Sequence, residues 1–449
     1  MQPRQPKPSS PLERGFRLLR AGVYRRLRWD NRVFALAAII GIGGGLIACF
    51  YYSALEGLMR WIWATGPLAR VPLPVTTAIG GTLVGVALWR MGAPGEISTV
   101  VNNLHMRNGR IDPAQNPSMA VNSLLSISFG GSAGPEAPLV QLCGSLGSWL
   151  GAKLRLRPRS MRIATLAGMA SALGAFFGAP LGGAFFALEI PHRRGLEYYE
   201  ALLPAILSAS LAFLVFRGLT PVGIGPIWPF APHVFHALSD VETGVGLGLV
   251  GAAAAVAFVG LFRLVFHGFE QMPLHPVVRG TLGGLCLGLL AWHHPETLFF
   301  SEQQISLLLS AHHAASGWLL LALVKAVAIG VTLGAGFRGG FFFPLFFIGA
   351  CLGRAVAATV PGLDPQVAML AGMAAVNVGV TKTPIGTTIL LTSLSGLDLA
   401  TPILFASLVA FLATMRIGII ETQRPRMSRE PSTPLAAGAH PSAAAASSA

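Results

Sequence analysis

The stretch "GGSAGPEAPLVQ", residues 130–141, contains the residues whose types and spacing could do chemistry. Its single carboxylate, Glu136, lies between two prolines and is surrounded by glycines and apolar residues. A carboxylate in such surroundings can hold a negative charge or, once protonated, give it up. Ser132 lies in a G-x-S-x-G pattern, the spacing of a hydrolase nucleophile. The stretch therefore allows two kinds of chemistry, one centred on an acid and one on a hydroxyl.

The hydrolase interpretation requires a β-strand before Ser132 and a histidine and an acid elsewhere to complete a triad. The residues around Ser132 are instead glycine-rich and apolar, as in a membrane segment. An intramembrane serine hydrolase is therefore kept as the alternative from another class of protein. The favoured interpretation is that the protein is not an enzyme.

The composition indicates a protein that crosses a membrane several times. Only 11% of the 449 residues are charged and 53% are hydrophobic, and the mean hydropathy is +0.62. A soluble chain usually carries about 25% charged residues. Several apolar segments approach the roughly 20 residues that a spanning helix needs, and others are shorter and interrupted by glycine and proline. Such segments predict an all-α polytopic membrane protein with broken and re-entrant helices.

The distribution of charge predicts the orientation of the chain. The net charge is +14, and residues 1–32 contain nine Lys and Arg against Glu13 and Asp30. By the positive-inside rule this segment stays cytoplasmic, which argues for membrane lipid rather than nucleic acid as its surroundings. We expect a multi-pass protein of the bacterial inner membrane.

The sequence contains an internal repeat. Pro138 aligned with Pro344 gives an offset of 206. That offset pairs Gly130, Gly134, Leu139, Leu146 and Gly147 with Gly336, Gly340, Leu345, Leu352 and Gly353. Farther along, "LAGMASALGAFFGAPLGG" at 166–183 matches "LAGMAAVNVGVTKTPIGT" at 370–387 with an offset of 204. Two unrelated coincidences would not share nearly one offset, so the chain contains two homologous halves.

The repeat gives the predicted organisation. It comprises a basic cytoplasmic segment at 1–32, a first membrane repeat at 33–217, a linker at 218–242, a second membrane repeat with a terminal helix at 243–424, and a disordered tail at 425–449. Those last ~25 residues are too few for a regulatory cytoplasmic domain.

The repeated motifs predict where an anion would bind. "GGSAGPEAP" and "GAGFRGGFFFP" each combine glycines for a sharp turn with a proline suited to the first turn of a helix. A helix N-terminus offers free N–H groups and about half a positive charge, so converging N-termini bind anions without basic side chains. The position equivalent to Phe342 is Glu136. One carboxylate is therefore expected where anions should bind.

These residues resemble the CLC family of chloride channels and chloride/proton exchangers. The family's GREGP motif appears as residues 134–138, and its GxFxP motif as "GGFFFP" at 339–344. "FGAPLGGAFFALE" at 177–189 and "KAVAIGVTLGAGFRGG" resemble other family segments, and the match covers roughly residues 33–424. The resemblance implies two inverted-topology repeats and a homodimer without regulatory cytoplasmic domains.

The resemblance also implies roles for residues. Glu136 corresponds to the gating glutamate, and the amides of Phe341 and Phe342 to those at the central anion site. The implied anion-binding set is Glu136, Ala137, Phe341, Phe342, Phe343, Ile420, Gly92 and Ala93.

Several positions depart from the family pattern, among them Pro135, which has no N–H to offer at the outer anion site. Gly92 or Ala93 lies where the family has an anion-binding serine, and Ile420 lies where it has a tyrosine. Ile190 occupies the position of the internal proton-transfer glutamate. We therefore expect transport of chloride or similar small anions that is passive or weakly coupled to protons, with a chloride/proton antiporter as the alternative. No cofactor and no metal ion are expected.

Overall fold

The structure is a computed structural model that describes residues 11–222 and 227–424. The first half contains the helices α1 (Pro11–Arg60), α2 (Leu73–Met91), α3 (Ile97–Met106), α4 (Asn116–Ser128), α5 (Glu136–Lys153), α6 (Pro158–Phe177), α7 (Pro180–Glu189) and α8 (Leu202–Leu219). The second half contains α9 (Ala237–Glu270), α10 (Pro276–His293), α11 (Glu302–Ser310), α12 (Ala315–Gly334), α13 (Phe342–Ala357), α14 (Pro365–Thr381), α15 (Pro384–Ser395) and α16 (Ala400–Thr414).

Within the described ranges, six helices are long and apolar enough to cross a membrane, and four helices of the second half are apolar but shorter. This arrangement confirms the predicted all-α membrane fold with broken helices. Proline begins many of the helices, because its missing N–H has no partner to lose in the first turn. Examples are Pro158, Pro180, Pro276, Pro365 and Pro384.

The predicted boundaries can be compared with the helices. Residues 11–32 belong to α1, which continues into the first membrane span. Helix α9 begins at Ala237, inside the segment 218–242 that was predicted as a linker. The tail at 425–449 and residues 1–10 lie outside the described residues.

The two halves pair through reciprocal contacts, as inverted repeats around a pseudo-twofold axis must. Ser132 N–H donates to Thr332 Oγ1 at 3.0 Å, and Arg338 N–H donates to Ser126 Oγ at 2.8 Å. These are the same contact seen from each half, because 126 and 132 become 332 and 338 with the offset of 206. The repeat is therefore a property of the fold as well as of the sequence.

Helices α6 and α14 are largely buried beneath α5 and α13. Glycines allow their backbones to approach closely. A Cβ on Gly147 would lie 2.1 Å from Ala164 O, and one on Gly353 would lie 2.0 Å from Ala368 O. Small residues make such packing available where the lipid supplies no hydrophobic driving force between helices. Helices α5 and α13 therefore pack closely against α6 and α14.

Candidate functional site

The two glycine-rich motifs meet at the centre of the molecule through their backbones. Gly134 N–H donates to Gly340 O at 2.7 Å, and Gly340 N–H donates to Gly134 O at 2.6 Å. In each half the chain enters this bridge through a turn at Gly130 or Gly336, whose φ angles are +92° and +101°. Such positive φ values strain any residue with a Cβ. The bridge brings the N-termini of α5 and α13 to one place.

Glu136, the first residue of α5, points into the start of α13. Its Oε1 accepts a hydrogen bond from Phe342 N–H at 2.9 Å, and the N–H groups of Phe343 and of Glu136 itself also point at the carboxylate. The side chain is fully buried. Its other oxygen, Oε2, has no hydrogen-bond partner among the described residues. The carboxylate therefore occupies a backbone-amide site of the kind that binds anions.

The absence of side chains at the bridge creates the space for this carboxylate. A Cβ on Gly134 would lie 1.9 Å from Glu136 Oε2, and one on Gly340 would lie 2.6 Å from Glu136 Cδ and Oε1. Both distances are below any normal contact. Glycine at these two positions is required for the observed position of the acid.

A buried network of polar side chains on α14 contacts the carbonyl side of the amide site. The sequence analysis did not predict this network. Asn377 Nδ2 donates to Phe342 O at 3.2 Å, and this carbonyl belongs to the same peptide group as Phe343 N–H. Thr381 Oγ1 in turn donates to Asn377 Oδ1 at 3.1 Å. Hydrogen bonds in such chains polarise one another. Asn377 therefore orients the peptide group whose N–H points at Glu136.

Two cavities adjoin the site at Phe341. The small cavity, of about 30 Å³, lies among Met119, Ala137, Pro138, Arg338, Gly339 and Phe341. That volume holds an occupant about the size of a water molecule. The larger cavity, of about 530 Å³, is here called the vestibule; it lies between the start of α3, the end of α9 and residues 419–422.

The predicted anion-binding residues divide between these places. Glu136, Phe342 and Phe343 form the amide site, and Ala137 and Phe341 line the small cavity. Ile420 lines the vestibule together with Phe341.

Gly92 and Ala93 lie elsewhere. They are exposed at the end of α2 and are not among the residues that line either cavity. The vestibule is lined instead by Pro94, Gly95 and Ile97, a few residues farther along the chain. Ile190 is buried at the end of α7, and its carbonyl oxygen accepts a hydrogen bond from Gln423 Nε2 at 2.9 Å.

Two charged residues have partners that the sequence did not indicate. Glu189 accepts hydrogen bonds from the N–H groups of Ile385 at 3.1 Å and Gly386 at 2.7 Å, so it caps the N-terminus of α15. Lys325 is buried, and its Nζ donates to Thr297 O at 2.8 Å and to Phe299 O at 2.9 Å. Both charges hold helices and turns together.

Ser132 has no catalytic surroundings. Its Oγ is buried and has no hydrogen-bond partner in the described part of the chain, so no base is placed to activate it. Across residues 11–222 and 227–424, no group of three or more His, Cys, Asp or Glu side chains could hold a metal ion. The geometry gives the hydrolase hypothesis no support.

Inverted helical repeats that bring two helix N-termini together inside a membrane define a class of transport proteins. Residues 86–415 match the model of the voltage gated chloride channel family. Since this match covers well over half of the chain, the protein belongs to that family. Membership supports transport of anions and gives no support to an enzymatic activity.

Relatives and solved structures agree with this membership. The chain is 29% identical over 404 residues to the chloride/fluoride channel protein of Pseudomonas syringae pv. tomato, covering 87% of this chain and 86% of the relative. It is 28% identical to a putative chloride channel protein, ClcB-like, of Ralstonia nicotianae, covering 86% and 94% of the two chains. The crystal structure of a CLC-type fluoride/proton antiporter has the same fold, with a TM-score of 0.75, 24% identity, and coverage of 88% of this chain and 98% of the other. A slow cyanobacterial Cl⁻/H⁺ antiporter gives a TM-score of 0.74 at 22% identity, with coverage of 85% and 94%.

Proposed function

We propose that the protein conducts chloride or similar small anions through a pathway gated by Glu136, and that this transport is passive or only weakly coupled to protons. The observation that carries the proposal is the hydrogen bond between Glu136 Oε1 and Phe342 N–H at the meeting point of α5 and α13. A carboxylate in a backbone-amide site is chemically equivalent to a bound anion. It must leave, or lose its charge, before another anion can take the same place.

The competition is strong enough to act as a gate. Two unit negative charges about 4 Å apart repel by roughly 4 kcal/mol at an effective dielectric constant near 20. That energy corresponds to a change of about a thousandfold in the occupancy of the amide site by an anion. Protonation removes the charge from Glu136 and with it the repulsion, so anion flux should increase as the pH falls.

The proposal of weak proton coupling depends on Ile190. Proton transfer across the low-dielectric interior needs titratable groups or water. An isoleucine cannot carry a proton, and the nearby Gln423, which donates to Ile190 O, does not titrate. Glu189 does not replace the missing acid, because its two oxygens are engaged by the N-terminus of α15.

The test measures anion and proton movement together in liposomes containing the purified protein. With a chloride gradient and no proton gradient, we expect chloride efflux with little accompanying proton movement. Robust uphill proton movement that Glu136→Gln abolishes would make the protein an antiporter. Liposomes without anion flux at any pH would remove the transport function altogether.

The anion is chloride or a related small ion. The curated relative from Pseudomonas syringae carries both chloride and fluoride in its name, so fluoride belongs in the same measurements. We further propose a homodimer in the bacterial inner membrane with a cytoplasmic N-terminus. Cross-linking in native membranes tests the dimer, and protease protection of an N-terminal tag tests the orientation.

A further inference from the structure

Arg338 is, like Glu136, a position near the site at which the two repeats differ in charge. It lies between α12 and α13, two residues before the bridging Gly340, and its N–H is held by Ser126 Oγ at 2.8 Å. The equivalent residue in the first half is Ser132. One half therefore has a small hydroxyl at this place, and the other has a guanidinium group.

The guanidinium of Arg338 is only partly satisfied. Its Nη1 donates to Glu96 Oε1 at 2.8 Å, while its Nε is buried and has no hydrogen-bond partner among the residues that the structure describes. The Arg338 side chain is 13% exposed and that of Glu96 is 46% exposed. Buried donors almost always have an acceptor, so the unused Nε leaves the hydrogen-bonding capacity of this guanidinium incompletely satisfied.

The location of Arg338 connects the two cavities. It lines both the small cavity and the vestibule, as do Glu96 and Phe341. The guanidinium therefore lies at the boundary between the two cavities, beside Phe341, the residue that precedes the amide site in the chain. A planar cation with several donors is well suited to hold an anion there.

The other charged groups around the vestibule are more exposed and pair with one another. Arg263 donates to Glu421 at 3.3 Å, with 48% and 80% of the two side chains exposed. His267 lies 3.1 Å from Glu270, with 56% of each side chain exposed. Exposed pairs of this kind are screened by solvent and contribute little. Arg338, shielded from water, exerts a stronger field on the pathway; Arg279 also lies within its electrostatic reach.

We propose that Arg338 binds the permeant anion at the junction of the vestibule and the small cavity, and that Glu96 competes with the anion for the same guanidinium. This inference rests on the proposed anion transport. The ligand is a small monovalent anion such as fluoride or chloride. Glu96 can turn into the vestibule at little cost because nearly half of its side chain is already exposed. Arg338 then adds a second anion subsite to the amide site.

The experiment compares the concentration dependence of anion flux, as KM, for four variants in liposomes. Arg338→Gln should raise KM about tenfold, and Arg338→Lys should restore part of the loss because it keeps the charge. Glu96→Gln should lower KM at least threefold because it removes the competitor. Arg263→Gln is the matched control: it removes an equal charge from the same vestibule and should leave KM within twofold.

A double variant separates ligand binding from a structural role. In the Arg338→Gln background, Glu96→Gln should no longer change KM, because the guanidinium for which Glu96 and the anion compete has been removed. A wild-type KM in Arg338→Gln, or in Glu96→Gln, would overturn the proposal. If the Arg338→Gln variant does not fold, the KM values of Arg338→Lys and Glu96→Gln test the proposal instead.

A binding measurement keeps this inference distinct from the function on which it rests. Calorimetry with sodium fluoride and sodium chloride on the detergent-purified protein should show weaker binding in Arg338→Gln by about tenfold. If wild-type liposomes conduct no anion, the transport function has failed. If they conduct with a Glu136-dependent pH profile while Arg338→Gln binds and transports normally, only the role of Arg338 has failed.

Discussion

Glu136 and Phe342 occupy equivalent positions in the two halves, and this difference makes the amide site asymmetric. The first half contributes the acid, and the second contributes the amide that the acid occupies. Because Phe342 acts through its backbone, its ring can pack against Phe186, with 4.8 Å between the ring centroids, without affecting the site. The chemistry therefore depends on one side chain and on the conformation of one turn.

The first prediction concerns the charge on this side chain. Glu136→Gln keeps the shape of the protonated acid but cannot ionise, so anion efflux should lose most of its pH dependence between mildly acidic and neutral conditions. Efflux from liposomes over that range measures it. Ser132→Ala, in the same loop, should keep both the flux and its pH dependence. An unchanged pH profile in Glu136→Gln would show that Glu136 is not the gate.

The second prediction concerns the space beside the carboxylate. A methyl group on Gly340 would lie 2.6 Å from Glu136 Cδ, so Gly340→Ala should push the acid out of the amide site and narrow that site for anions. We expect both a weaker pH dependence and a lower maximal flux, measured in the same liposome assay. Gly260→Ala is the control, since a Cβ there meets no atom within 4 Å. A wild-type pH profile in Gly340→Ala would contradict the observed position of Glu136.

At this scale the sequence predicted the acid and the amides, but not the residues that support them. Glu136 and Phe342 lie in motifs that occur twice, so each half indicated the importance of the other. Asn377 and Arg338 are not repeated, because the equivalent positions in the first half have different residues. A single polar residue without a repeated motif gives no pattern from which its role could be predicted. Their roles depend on contacts between chain segments far apart in sequence, which only the fold brings together.

Among the elements, the end of α7 and the start of α15 depend on one charge. Glu189 accepts hydrogen bonds from Ile385 and Gly386, so it satisfies two of the N–H groups that a helix start leaves without partners. A carboxylate there is also stabilised by the helix dipole. The two repeats are thereby fastened together away from the bridge.

The third prediction follows from this cap. Glu189→Ala leaves both N–H groups without their acceptor in a buried setting, and it should destabilise the protein by about 1–3 kcal/mol. The thermal unfolding midpoint in detergent should fall accordingly, and Glu189→Gln should fall less because its amide oxygen still accepts. The control is Ser393→Ala. Ser393 occupies the position in the second half that is equivalent to Glu189, but its side chain is exposed. An unchanged midpoint in Glu189→Ala would show that the cap contributes nothing.

The sequence predicted helix starts where proline and glycine mark them, as at α5 and α13. It did not predict the partners of buried charges. Local sequence shows only neighbours along the chain, such as Arg193 and Arg194 near Glu189, and does not indicate the partners of Glu189 or Lys325. In the structure backbone N–H and carbonyl groups from other segments satisfy both charges.

For the whole molecule, the composition of the pathway predicts its selectivity. Backbone N–H groups form the amide site and attract any small anion. Ile420 adds no hydroxyl to the vestibule wall, where the hydroxyls belong to Ser98, Thr99 and Thr422. Hydrogen bonds built for one ligand discriminate strongly, and their absence permits similar ions.

The fourth prediction is that chloride, bromide and nitrate differ less than about tenfold in relative flux, which corresponds to about 1.4 kcal/mol. Liposome efflux with each anion as the sole permeant ion measures this ratio. A larger discrimination would mean that a polar group of the pathway contributes a selective contact. Potassium as the common cation in all three assays keeps the driving force equal.

The overall architecture could be predicted from the sequence because the sequence contains two homologous repeats. The offsets of 206 and 204 fix which segments are equivalent, and the reciprocal contacts of Ser126, Ser132, Thr332 and Arg338 follow from that equivalence. The predicted second repeat begins at 243, whereas α9 begins at Ala237, because the first turns of this helix are polar and resemble a loop in the sequence. Composition distinguishes segments that lie in the membrane from segments that lie in water, but it does not distinguish a polar helical turn from a linker.

The bridge between Gly134 and Gly340 has a consequence for the ancestry of the protein. A backbone pair on a twofold axis is what two identical half-length chains would form on association, and each would then place the same residue on either side of the axis. Such an ancestor would carry two acids or none at its centre. With both halves in one chain, one copy can carry the acid while the other carries a phenylalanine. The difference between Glu136 and Phe342 is what duplication followed by divergence at a single pair of positions would leave.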